Sequence, residues 1–125
     1  MLFSILVLRL VDQLPSTASG QVIGRQLAKR ATSVGANYRG SCIARSRAEF
    51  IAQLGVVLEE ADESVYWLDI ILRGQLLPES VALPVHIEAC ELRAIFGKSL
   101  GTARANNQIA RTNNQTTRTN NQTTR

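Results

Sequence analysis

Residues 46–72 read SRAEFIAQLGVVLEEADESVYWLDIIL, and their spacing decides the fold. Ser46-Arg-Ala-Glu49 is a capping box, a serine that closes the first turn with a glutamate three residues on to reach back. Apolar side chains then recur at Phe50, Leu54, Val57, Ala61, Val65, Leu68 and Leu72. Steps of three and four residues place them along one stripe of a single helix, roughly 40 Å long at 1.5 Å per residue. One apolar seam on a long helix needs partner helices to cover it. Ile51, Leu58 and Ile70-Ile71 widen this seam beyond what three neighbours in a small bundle require, which predicts a multimer.

Three further helices follow from the flanking sequence. Leu2, Ile5 or Leu6, Arg9-Leu10 and Leu14 give an amphipathic face that ends at Pro15. The apolar start resembles a signal-peptide core, but no basic segment precedes it and Arg9 and Asp12 break its run, so it reads as helix one. The run is too short to span a bilayer. Helix two begins near Ser19 and runs to about Ile43, with Gly35 inside it as a point of bending. Gly74 fits the C′ position that closes helix three after Arg73. Helix four starts near Leu83-Pro84, proline suiting a first turn, and runs to about Ala103 on a stripe of Val85, Ala89, Leu92, Phe96 and Leu100. Short connections make the expected fold an all-α, antiparallel up-and-down four-helix bundle over residues 1–103.

The rest, residues 104–125, repeats every seven positions: Arg104-Ala-Asn-Asn-Gln-Ile-Ala, then Arg111-Thr-Asn-Asn-Gln-Thr-Thr, the same from Arg118, and Arg125 opening another round. It carries too few apolar residues for a coiled-coil seam, and Asn and Thr are poor helix formers. A disordered C-terminal tail is expected. The tail also owns the net charge of +4: four of the fourteen basic residues lie in it, leaving ten against ten acidic ones in the body. The body is uneven, with seven basic and two acidic residues over 1–58 and three basic and eight acidic over 59–103.

Ala31-Thr-Ser-Val-Gly-Ala-Asn-Tyr-Arg39, Ala44-Arg-Ser-Arg-Ala-Glu-Phe50, Glu60-Ala-Asp-Glu63 with Tyr66-Trp-Leu68, and Glu88-Ala-Cys-Glu-Leu92 stand in that order along the chain. This set resembles the small bacterial four-helix-bundle proteins encoded within intervening sequences of 23S ribosomal RNA genes, over about residues 3–103. The tail from Asn106 has no counterpart there. That family is similar to the accessory protein of diversity-generating retroelements, a pentamer that associates with a reverse transcriptase and with nucleic acid. The resemblance therefore implies a bundle without an assigned activity, a homo-oligomer with a pentamer as its model, and RNA, DNA, a reverse transcriptase or another neighbouring gene product as partners.

The residues themselves point away from catalysis. Glu60/Glu63 and Glu88/Glu91 are carboxylate pairs three apart, but a dimetal bundle site needs histidines beside them, and the sole histidine, His86, reads as exposed near a helix start. No catalytic residue, metal or cofactor is expected. No phosphate loop exists, since Gly20 and Gly24 lack the Lys-Ser/Thr that follows one. Cys42 and Cys90 read as small buried thiols of a cytoplasmic protein. Ser33, Asn37, Glu60, Glu63 and Glu91 form a structural polar layer that fixes helix register, Asn37 facing Glu60 or Glu63 and the carboxylates meeting arginines such as Arg39 or Arg45. Tyr38 and Trp67 read as core or subunit interface. Arg25, Lys29, Arg39, Arg45 and Arg47 are the candidates for contacting nucleic-acid phosphate. The alternative is a protein–protein scaffold without a nucleic-acid role.

Overall fold

The computed structural model describes residues 2–123, which form four helices: α1 (Leu2–Val11), α2 (Ala18–Cys42), α3 (Arg47–Arg73) and α4 (Glu79–Thr123). Short loops join them. α1 packs on α2 and α4, α2 on α3, and α3 on α4, while the diagonal pairs meet only through side chains in the core. This is the all-α bundle that the seam of α3 demands.

Caps set the helix starts. The Thr17 hydroxyl accepts from the Gly20 amide at 3.1 Å, and Ser46 Oγ accepts from the Glu49 amide at 3.1 Å. The Glu49 carboxylate reaches one residue past Ser46, accepting from the Arg45 amide at 3.0 Å. At Gly20 an added Cβ would stand 2.1 Å from the Pro15 carbonyl oxygen, and at Gly24 it would stand 3.1 Å from Val11 Cγ1. These two glycines, one turn apart, let the α1–α2 connection fold down onto α2.

Several boundaries differ from the sequence expectation. α1 ends at Val11, because the Gln13 and Leu14 amides bond carbonyls only three residues back and tighten the chain into a turn. Gly74 is the C-cap of α3 with helical backbone, and Gln75, at φ 54°, is the left-handed residue. Gly74 is still required, since a Cβ there would lie 2.7 Å from the Ile70 carbonyl oxygen. α4 begins at Glu79 rather than at Leu83-Pro84, because the Pro78 carbonyl accepts from the Val81 and Ala82 amides at 2.9 and 3.1 Å and starts the helix there. Pro84 thus stands in the second turn, where its missing N–H forgoes the helical bond to the Ser80 carbonyl.

The largest correction concerns the tail. Residues 104–123 continue α4 as helix instead of being disordered; Arg125 lies outside the described residues. No proline intervenes after Leu100, so the helix propagates from an end already nucleated in the bundle. Within it the threonine hydroxyls of the repeat find acceptors one turn back, without adding to helix stability: Thr112 at the Gln108 carbonyl at 3.0 Å, Thr116 at Thr112 at 3.1 Å and Thr117 at Asn113 at 3.0 Å. The extension is exposed on nearly every side.

The core comes in two parts. One joins all four helices and includes Phe3, Val7 and Leu10 of α1, Leu27 and Ala31 of α2, Leu68 and Ile71 of α3, and Val85 and Ala89 of α4. The other is built from Val34, Leu54, Val57, Ala61, Phe96 and Leu100, with no residue from α1. Along α3 the seam is as read, except that Ile71 rather than Leu72 is fully buried, and Ser64 joins the buried set by bonding the Glu60 carbonyl at 2.8 Å. At 10 residues α1 is less than half the length of α2 or α3, so the bundle is four helices thick at one end and three at the other. Beside the first turn of α1, an open groove of about 350 Å³ lies between α2 and α4, lined by Leu2, Val34, Tyr38, Leu92, Ile95 and Phe96. Tyr38 is 48% exposed at this edge, its ring 5.7 Å from that of Phe96, so of the two settings expected for it the core is excluded. Trp67 is half-buried against the larger core.

Candidate nucleic-acid interface

α2 contains no carboxylate over its 25 residues. Arg25, Lys29, Thr32, Ala36 and Arg39 follow one another at steps of four, three, four and three, and all are exposed. They form one solvent-facing stripe about 21 Å long from Arg25 to Arg39. Arg45 and Arg47, also exposed, extend it through the turn into α3. Among the described residues none of these five side chains takes part in an ion pair. The stripe is therefore an uncompensated positive surface, set by the order of residues on a single helix. The arm of α4 adds Arg104, Arg111 and Arg118, exposed and roughly 10.5 Å apart along the axis, drifting about 20° per repeat.

The remaining cation of α2 has a different job. Arg30, on the side facing α3, pairs with Glu60 at 3.4 Å and with Glu63. Its side chain, 28% exposed, covers a Glu60 side chain that is 17% exposed and whose Oε2 has no hydrogen-bond partner. The carboxylates therefore meet Arg30, not Arg39 or Arg45. The other residues assigned to the polar layer do not join it: Asn37 Nδ2 donates to the Ser33 carbonyl of its own helix at 2.8 Å, and Glu91 is exposed.

Across α3 and α4 the structure brings together residues that sequence reasoning kept apart. Arg93 Nη1 donates to Asp62 Oδ1 at 2.9 Å. Two turns away on each helix, His86 Nε2 meets Asp69 Oδ1 at 2.7 Å. The two links lock the antiparallel register of α3 and α4. His86 is thus half-buried and partnered, not free near a helix start. Its other nitrogen, Nδ1, faces Cys90 Sγ at 3.8 Å, one turn along α4. Both thiols are free; Cys42 is exposed, against expectation, and Cys90 is partly exposed. Among the described residues no group of three or more His, Cys, Asp or Glu side chains could hold a metal ion, and no helix is long and apolar enough to cross a membrane.

Fold and surface together define a four-helix bundle with one basic helix face. The chain belongs to the 23S rRNA-intervening sequence protein family, whose model matches residues 1–98. No curated protein matches it. Among solved structures it is similar to a protein of unknown function from the S23 ribosomal protein family of Bacteroides thetaiotaomicron VPI-5482, with 28% identity and a TM-score of 0.72 over 78% of this chain and 91% of that one. The family match ends before the repeat begins at Arg104.

Proposed function

We propose that this protein is a non-enzymatic, homo-oligomeric accessory protein that associates with RNA or DNA through the basic face of α2. The observation that carries the reading is the unpaired stripe of Arg25, Lys29 and Arg39, continued by Arg45 and Arg47, on a helix without a single carboxylate. Guanidinium forks suit phosphate oxygens, and a row of fixed cations recovers entropy by releasing the counterions of a nucleic-acid backbone. The acidic second half keeps the remaining faces from sticking to the same polyanion. Assembly is supported by the open apolar groove at the three-helix end, flanked by exposed Leu2 and Ile95, a surface suited to a neighbouring copy.

The test is retention of RNA or DNA by protein ending at Ala103, which removes the tail arginines. Five phosphate contacts give a log–log salt slope of about −3.5 on single strands or −4.5 on duplex. Reversing Arg25, Lys29 and Arg39 to glutamate should abolish retention while leaving the helical spectrum intact. No retention at low salt by the unaltered bundle sinks the nucleic-acid reading. Light scattering that reports a 13.7 kDa monomer for the full chain sinks the oligomer, and a pentamer is the number the resemblance implies.

A further inference from the structure

The Asp69–His86–Cys90 arrangement binds α3 to α4, but register alone does not require its third member. A carboxylate only accepts, so the 2.7 Å contact places the proton of a neutral His86 ring on Nε2, donated to Asp69 Oδ1. The lone pair of Nδ1 is then directed at the thiol, 3.8 Å from Cys90 Sγ. A thiol, an imidazole that can take its proton and a carboxylate that holds the imidazole in one tautomer are the three parts of an assisted sulfur nucleophile. The ring is held in place, with 18% of its side chain exposed, and Cys90 retains partial access to solvent.

We propose that Cys90 is a reactive thiol and a site of oxidation by hydroperoxides. Cys90 sulfur attacks one peroxide oxygen; an S–O bond forms and the O–O bond breaks. His86 Nδ1 accepts the thiol proton and passes it to the leaving oxygen, so that hydrogen peroxide yields water and Cys90 sulfenic acid. Sulfur is oxidised by two electrons and the peroxide reduced by two. Asp69 is a positioning residue, acting through the ring. The inference is a modification site and not a hydrolase.

Cys42 is the internal control: exposed, free and without an imidazole partner. The full-length protein is exposed to dilute hydrogen peroxide at pH 6.5 with a sulfenic-acid trap, and each cysteine is followed by peptide mass spectrometry. Cys90 should react about tenfold faster than Cys42 despite being the less exposed thiol. His86→Gln and Asp69→Asn should each slow Cys90 by several-fold and leave the rate at Cys42 unchanged, with the helical spectrum and cooperative thermal unfolding reporting that the variants remain folded. Equal or slower reaction at Cys90 in the unaltered protein overturns the proposal, whatever becomes of the variants. So does an unchanged Cys90 rate in folded His86→Gln.

Discussion

Gly20 and Gln75 show how single residues hold this bundle's turns. With the Pro15 carbonyl oxygen 2.1 Å from where a Cβ would go, Gly20→Ala forces the α1–α2 turn to move. The expected loss is about 1–3 kcal/mol, the usual cost of overpacking, read as a drop in thermal midpoint. Gln75 carries the opposite burden: its φ of 54° suits glycine better than a residue with a Cβ. Gln75→Gly should stabilise by about 1 kcal/mol in urea titration. Arg30 is a third case. Arg30→Ala leaves the half-buried Glu60 carboxylate without its partner and should cost about 1–3 kcal/mol, whereas Arg25→Ala, at an exposed and unpaired position, should cost almost nothing. Which arginine met the carboxylates was hidden in the sequence, because seven basic residues in the first half compete for that role and only the register of α2 on α3 selects Arg30. The Asp69–His86–Cys90 contacts were hidden for a related reason. One histidine in a chain carries no spacing signal across two helices.

Helices whose limits are set by local chemistry were the legible ones. α3 runs Arg47–Arg73 in sequence reading and structure alike, because a serine cap and a terminal glycine act within one turn of their own position. Ser46→Ala should accordingly cost about 1 kcal/mol, measured by thermal unfolding. α4 was misread at both ends. Pro84 looked like a first-turn proline, yet Pro78 already starts the helix, and the repeat looked unstructured because its residue preferences were weighed without the helix that feeds into it. A helix grown from a folded end avoids nucleation but gains no burial. The arm should therefore melt gradually and well below the bundle. Amide exchange along residues 111–122 should be fast while that of Leu54–Ile71 is slow, and a chain ending at Ala103 should keep the full-length thermal midpoint while losing helical signal.

The whole molecule is a bundle of unequal ends. The basic stripe was legible because helical spacing alone puts Arg25, Lys29 and Arg39 on one face; the groove was not, because it depends on how the first turn of α1 sits against α2 and α4. The divided core has a consequence for how the protein responds to a ligand. Phe3, Val7 and Leu10 seal one end, while the other rests on six buried residues from three helices. That smaller unit is the cheaper one to open. Arg39, Arg45 and Arg47 ride on it, whereas Arg25 and Lys29 ride on the firmer end. A polyanion laid along the stripe would bridge a rigid anchor and a yielding one, and its binding energy would appear as slower opening of the thin end alone. The short first helix thus makes local breathing of the bundle a gauge of whether the basic face is occupied.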